Sequence, residues 1–216
     1  MHVSKIHVPI RGSVSRFFLY SALAFALVLA CSVVASAQTT DVFRVTYFDN
    51  NGVAGAPNAY VHILNPGLAG APAPAGTLCA SIYIWRFDQE LSECCSCPIT
   101  ANGLLTFTVL AATSNPGDGG PIPTTGSIAI IADSACNAAN PTPTPDLRAW
   151  ATHVNLDPIN TAAGGYDVTE TEALDTPLST GELAEAASRC AFLRVNSTGH
   201  GICDGVTPFH NICTGT

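Results

Sequence analysis

The sequence predicts a mainly β protein, a two-layer sandwich with one C-terminal helix, held by disulfides. Two observations predict the sheets and a third the staples. Seven or eight short segments alternate apolar and polar residues at period two, the signature of strands with one face buried. Clusters of Gly, Pro, Asn and Asp separate them, where those residues favour turns. Eight cysteines lie beyond the leader, and an even set in an exported chain reads as disulfides.

Along the chain, the leader comes first. Lys5, Arg11 and Arg16 precede an uncharged apolar stretch at 17–30, and Ala35-Ser36-Ala37 before Gln38 is the A-x-A pattern cut by signal peptidase. Extended to residue 34, the apolar run reaches only 18 residues, short of the roughly 20 that span a bilayer. Cleavage after Ala37 is therefore expected, leaving a single disulfide-rich β domain over 38–216. A lipidated Cys31, read through Val28-Leu29-Ala30-Cys31, and an uncleaved anchor are the alternatives.

Strands are predicted at 42–48, 60–64, 79–87, 91–95, 105–109, 128–131 and 148–156, with a weaker one at 166–172. The segment 79–87 carries Ile82 and Ile84 on one face and Tyr83, Trp85 and Phe87 on the other, so it belongs in the middle of a sheet. Its hairpin partner is 91–95, across Asp88-Gln89-Glu90. Asn102-Gly103 reads as a turn because both residues tolerate positive φ. Ser179 with Glu182 three positions later is a capping box. It opens a helix with Leu183, Ala187, Cys190 and Ala191 on its apolar face and Gly199 as its stop. Cys190 is expected to pin that helix to the sheets.

Three Pro/Gly-rich stretches, 66–76, 115–123 and 140–145, interrupt the strands. The first two read as surface loops. The third, Asn140-Pro141-Thr142-Pro143-Thr144-Pro145, is stiff and extended, the one place for a linker. The roughly 70 residues after it carry few large apolar side chains and would struggle to bury a core alone, so they are expected to pack on the sandwich.

The cysteines beyond the leader are Cys79, Cys94, Cys95, Cys97, Cys136, Cys190, Cys203 and Cys213, and all eight are expected in disulfides. Eight allow 105 pairings, which sequence cannot resolve. Each native bridge contributes about 2–4 kcal/mol. Cys94 and Cys95 are adjacent on a strand and point to opposite sides, so they should reach different mates. The knot Glu93-Cys94-Cys95-Ser96-Cys97-Pro98 also suggests a metal or redox site, with His200 and Cys203 as further ligands. Structural zinc, however, prefers two spaced pairs, and no second C-x-x-C exists. No cofactor or metal is expected.

Charge restricts the partners. After removal of the leader, five basic residues face sixteen acids. Such a surface repels phosphate backbones, so nucleic acid is excluded. No second apolar stretch approaches membrane-spanning length. No G-x-S-x-G, H-E-x-x-H or P-loop occurs. Among the histidines, His62 and His153 sit in strands, where a hydrogen-bonded structural role is expected. His200, in Thr198-Gly199-His200-Gly201-Ile202-Cys203, is the one weak catalytic candidate, because the glycines let the chain turn tightly around its imidazole. The carboxylate pairs Glu90/Glu93 and Glu170/Glu172 suggest glycosidase chemistry only by proximity. Trp85 and Trp150 are the weak ligand-binding candidates: on a β face an indole stacks on sugars, although packing in a core is commoner. Asp49-Asn50-Asn51-Gly52 lacks the later ligands of a calcium loop, and Asn196-Ser197-Thr198 fits a glycosylation sequon.

The combination of Glu93-Cys94-Cys95-Ser96-Cys97-Pro98, Asn140-Pro141-Thr142-Pro143-Thr144-Pro145-Asp146-Leu147-Arg148-Ala149-Trp150 and Gly199-His200-Gly201-Ile202-Cys203 resembles a group of uncharacterised exported bacterial proteins. That resemblance implies export and a bacterial source, and assigns no catalytic residue. The opening strand, turn and strand over 42–64, with Gly52-Val53-Ala54-Gly55-Ala56, also looks like the start of immunoglobulin-like or transthyretin-like sandwiches, which implies architecture but not function. The expected function is a secreted, periplasmic or cell-surface non-enzymatic module, binding or structural, whose ligand is a glycan or protein outside the cell. The alternatives are an extracellular hydrolase of a polymer such as a glycan and a metal- or redox-handling protein using the Cys94–Cys97 cluster.

Overall fold

The computed structural model describes residues 42–49, 57–68, 76–113, 122–156, 165–196, 202–203 and 212–214. The leader, Cys31, Asn50-Asn51-Gly52, Gly199, His200 and His210 lie outside them. Among the described residues there are ten strands: β1 Phe43–Asp49, β2 Tyr60–Leu64, β3 Leu78–Arg86, β4 Leu91–Ile99, β5 Leu104–Thr108, β6 Thr125–Asp133, β7 Arg148–Leu156, β8 Tyr166–Glu172, β9 Leu174–Asp175 and β10 Ile202–Cys203. The described residues also form two helices, α1 Val109–Thr113 and α2 Thr180–Asn196, and a 3₁₀ turn at Ile212–Thr214.

The strands form two sheets. Sheet 1 runs β10-β4-β3-β6-β1-β9 and sheet 2 runs β5-β2-β7-β8. The pairings are antiparallel, apart from the parallel contact of β10 with β4. β3 is central as its two bulky faces predict, flanked by β4 and β6. Ile82 and Ile84 enter the core between the sheets, with Phe48, Val61, Ile63, Phe107, Ile128 and Ile130. Tyr83 faces the other way, into a second cluster with Phe43, Leu91, Ile131, Ala186 and Leu193, where Trp85 packs at the edge. Sheet 1 is thus covered on both faces, by sheet 2 and by α2.

Local chemistry explains where the chain turns and caps. Asn102 has φ 61°, and the Gly103 amide donates to the Thr100 carbonyl at 2.7 Å. This turn carries the chain from β4 in sheet 1 to β5 in sheet 2. At α2, the Glu182 amide donates to Ser179 Oγ at 3.1 Å, and the Ser179 amide donates to Glu182 Oε2 at 2.9 Å. Both halves of the capping box are therefore made.

Several expectations need correction. Val109 is not in β5. The Ala111 amide donates to Thr108 Oγ1 at 3.3 Å, so Thr108 caps the turn that starts α1. β4 continues past Cys95 to Ile99. Pro98 is opposite Cys79 of β3; among the described residues the other side of β4 is paired only at Cys94 and Cys95, and such an edge position tolerates a proline that lacks an N–H. Phe87 lies beyond β3 and is 69% exposed. The buried stripe of α2 is Ala186, Cys190 and Leu193, with Leu183 packed beside it. Ala191 is exposed, because the larger Leu193 and the bonded Cys190 set the helix's rotation.

The Pro/Thr run is docked onto β6. The Thr144 amide donates to the Ala132 carbonyl at 2.9 Å and the Ser134 amide to the Thr142 carbonyl at 3.0 Å. Asp133, fully buried at the end of β6, organises the bend. Its carboxylate accepts from Ser81 Oγ at 2.9 Å and from the amides of Ala135, Asn137 and Thr142 at 2.8, 2.8 and 2.7 Å. A buried carboxylate is tolerable when its oxygens are filled in this way.

Candidate ligand-binding face

The sulfur atoms come first, because they decide what the cysteine knot can do. Cys79 is bonded to Cys136, Cys94 to Cys190 and Cys97 to Cys213. Cys95 is also bonded, and since Cys94 is joined to Cys190, the two adjacent cysteines have different mates, as their alternation on β4 requires. The backbone of Cys203 lies opposite Cys95 in the parallel pairing of β10 with β4; its side chain is outside the described residues. Each described bridge starts on β3 or β4. One ties the loop after β6, one ties α2, and one ties the C-terminal turn. Bonded sulfurs present no thiolate, the form that binds metal or attacks a disulfide.

Glu93 lies in the same knot. Its side chain is fully buried, and Oε1 stands 3.5 Å from Cys95 Sγ. Burial pushes its pKa well above the ordinary carboxylate value, so the acid is held protonated over a wide range. Glu90, its suggested catalytic partner, is exposed and lies 3.7 Å from Arg189 of α2. The two carboxyls occupy different environments, one buried and one in solvent. A cleft of about 180 Å³ opens beside Pro98, Ile99 and Leu104, well below the roughly 300–1,000 Å³ typical of small-molecule pockets.

Sheet 2 is different. On β2, Val61 and Ile63 point into the core, so period-two geometry turns Tyr60, His62 and Leu64 outward. Register then sets their neighbours, because directly opposed residues of an antiparallel pair share a face. His62 is opposite Trp150 on β7 and Thr106 on β5. Trp150 is in turn opposite Glu172 on β8, and Thr152 is opposite Glu170. One side of the sheet therefore presents the row Thr106, His62, Trp150, Glu172, with Tyr60, Thr108, Thr152 and Glu170 alongside.

The aromatic rings in this row are aligned. Tyr60 and His62 have centroids 6.2 Å apart with planes 11° from parallel. His62 and Trp150 are 5.5 Å apart at 26°. His62 is held by its neighbour on β5, with Nδ1 2.9 Å from Thr106 Oγ1. The Tyr60 amide donates to Thr152 Oγ1 at 2.6 Å, which fixes β2 against β7 under the rings. Tyr60 is 40% exposed, and His62 and Trp150 are half-buried. The result is a strip of near-parallel rings on the outer face of sheet 2, bordered by hydroxyls and carboxylates.

The remaining sequence candidates fall elsewhere. Trp85 is half-buried against the cluster beneath α2 and is on the other sheet from Trp150. His153 is fully buried, stacked on Tyr47 at 4.0 Å and 13°, with Nε2 2.6 Å from Thr171 Oγ1; burial lowers its pKa. That is the structural role expected of a strand histidine. Sequence reasoning misses Tyr60 and His62 as partners of Trp150. Their shared face is visible in the alternation Tyr60-Val61-His62-Ile63, but the pairing of β2 with β7 is not. Comparison of the chain with protein-family models, curated proteins and solved structures gives no match. Among the described residues, no helix is long and apolar enough to cross a membrane. Multiple disulfides belong to chains that fold in an oxidising compartment.

Proposed function

We propose that this is an exported, non-enzymatic binding module that holds a carbohydrate polymer on the outer face of sheet 2. The observation that carries this reading is the aligned strip Tyr60, His62 and Trp150. Sugar rings expose faces of C–H groups that pack on aromatic planes, while their hydroxyls need polar partners at the edges. An aromatic strip flanked by Thr106, Thr108, Thr152, Glu170 and Glu172 supplies both. An open sheet face suits an extended chain better than a single small molecule, which would favour a deep pocket. Rigidity adds to affinity by reducing what must be ordered on binding, and the disulfide-fixed sheet 1 provides that rigidity from behind. The A-x-A leader and the bonded cysteines support export.

Sedimentation with insoluble polysaccharides tests the proposal. Wild-type protein should pellet with at least one of cellulose, chitin or isolated bacterial cell wall. Trp150→Ala should lose about tenfold or more in affinity, as expected for a central aromatic anchor, and His62→Ala should show a smaller loss. Retention of full binding by Trp150→Ala, or no pelleting with any of the three, would refute it.

A further inference from the structure

His153 is placed where a neutral ring is satisfied and a charged ring is not. We infer that it is an acid-sensitive latch between the two sheets: protonation of its imidazole loosens the join of β1 and β7. The inference is independent of the ligand face, because it concerns the other side of sheet 2.

Position comes first. His153 lies on β7 of sheet 2 and is 0% exposed. Its ring stacks on Tyr47 of β1, in sheet 1, at 4.0 Å and 13°. β1 and β7 pack against each other, so this stack is a side-chain link between the sheets. Tyr47 is 53% exposed. The ring that covers the histidine therefore stands at the surface and can swing away without opening the main core.

The two ring nitrogens of His153 differ. Nε2 stands 2.6 Å from Thr171 Oγ1 of β8. Nδ1 is buried and has no hydrogen-bond partner among the described residues. A bare lone pair is tolerated there better than an orphaned N–H, which is rare in buried sites. The neutral ring therefore carries its proton on Nε2 and donates to Thr171. An imidazolium has a donor on both nitrogens, and the new N–H at Nδ1 would meet no acceptor. Its charge would also be taken out of water. Burial accordingly holds the His153 pKa below the ordinary 6.5.

The neighbouring charges do not reverse this. On β8, Thr169 is opposite His153, and Asp167 is opposite Asn155 on the same side of the sheet. Asp167 is exposed, where water screens it. Glu170 and Glu172 are opposite Thr152 and Trp150, on the other side of the sheet, as is Arg148 by period two. On β1, Asp49 shares the side of Tyr47 and is opposite Thr125, and Arg44 is a buried cation beside Ala173 and Glu172. The depression of the pKa has burial as its cause. The neutral ring thus belongs to the folded state. Stability linked to it is fully present above pH 6.5 and is lost as pH falls through the depressed folded value.

Nitrogen NMR of the histidine rings in the wild-type protein reads both the tautomer and the titration. We expect the proton on Nε2 at neutral pH and a titration below 6.5. Hydrogen exchange reads the latch. Between about pH 7.5 and about pH 5, the amides of Tyr47 and of β7 should exchange at least about threefold faster than the intrinsic change with pH accounts for. His153→Gln cannot take up a proton in this range and should abolish that gain. Glu93 is present in both proteins, so its own pH dependence cancels in the comparison. A titration at or above 6.5, which attraction of the cation to the Tyr47 ring would produce, would overturn the latch. So would a proton on Nδ1 at neutral pH, exchange that acid leaves unchanged, or a gain that persists in His153→Gln. If that variant does not fold, the wild-type titration and exchange profile still decide.

Discussion

The two sheets use their side chains differently. Sheet 1 is covered on both faces and holds the covalent and buried polar anchors: the bridges from Cys79, Cys94 and Cys97, the filled carboxylate of Asp133 and the buried acid of Glu93. Sheet 2 buries one face only and turns hydroxyls, carboxylates and three aligned aromatic rings outward on the other. The contrast shows how a chain with few charges divides the work. Stability is concentrated where disulfides can reach, which frees the opposite face from packing duty and makes it available to a ligand. Substitutions in sheet 1 should therefore change stability, and substitutions on the outer face of sheet 2 should change binding.

The largest stability effect is expected at Asp133. Replacement by Ala removes an acceptor from one hydroxyl and three amides, and leaving buried donors unsatisfied costs about 1–3 kcal/mol each before relaxation. We expect a loss of at least about 3 kcal/mol in urea denaturation; a loss below about 1 kcal/mol would show that water replaces the carboxylate easily. Next is the joint replacement Cys94→Ala with Cys190→Ala. Cutting the tie between β4 and α2 should cost about 2–4 kcal/mol, with wild-type polysaccharide binding retained at low denaturant. Loss of binding there would break the division between the sheets.

Glu93 gives a pH signature. Its folded pKa is raised by burial above the ordinary value of 4.5, so the folded state retains a proton that the unfolded chain gives up. The stability associated with that proton is fully present below about pH 4.5 and is lost as pH rises toward the folded value. Glu93→Gln should flatten this decline and be more stable than wild type, relative to their values at low pH, once the pH exceeds the carboxylate range. Parallel stability–pH curves would contradict it. A smaller effect is expected from Ser179→Ala, about 1 kcal/mol, read by thermal denaturation. The Ser179 side-chain and backbone hydrogen bonds also hold the Glu182 carboxyl below its ordinary range, so only the part of this increment that the hydroxyl gives the carboxylate should be lost as pH falls through that depressed pKa. Smallest of all should be the stability change in Trp150→Ala, under about 1 kcal/mol, the counterpart of its large effect on binding.

Much of sheet 1 is legible in the sequence because period-two alternation, turn residues and the capping box are local signals. The central place of β3 follows from Tyr83 and Ile84 being bulky on opposite faces. The separate mates of Cys94 and Cys95 follow from their adjacency on a strand. What stays hidden depends on pairing over long separations. Nothing local shows that His62 meets Trp150, 88 positions away, so the strip is invisible as a strip although Trp150 itself stands out. Asp133 looks like one acid among sixteen, because its four donors come from β3 and from three positions along the following loop. The two-residue strands β9 and β10 are too short to leave a pattern.

The protein carries two tryptophans, one on each sheet, and this permits a direct test of the outer face of sheet 2 as the binding surface. Trp85→Phe leaves Trp150 as the reporter, and Trp150→Phe leaves Trp85. Titrating each with the glycan oligomer that wild type binds most tightly, and following indole emission, we expect a saturable change in Trp85→Phe and none in Trp150→Phe. A saturable change that persists in Trp150→Phe and is missing from Trp85→Phe would place the ligand on the other sheet and contradict the assignment.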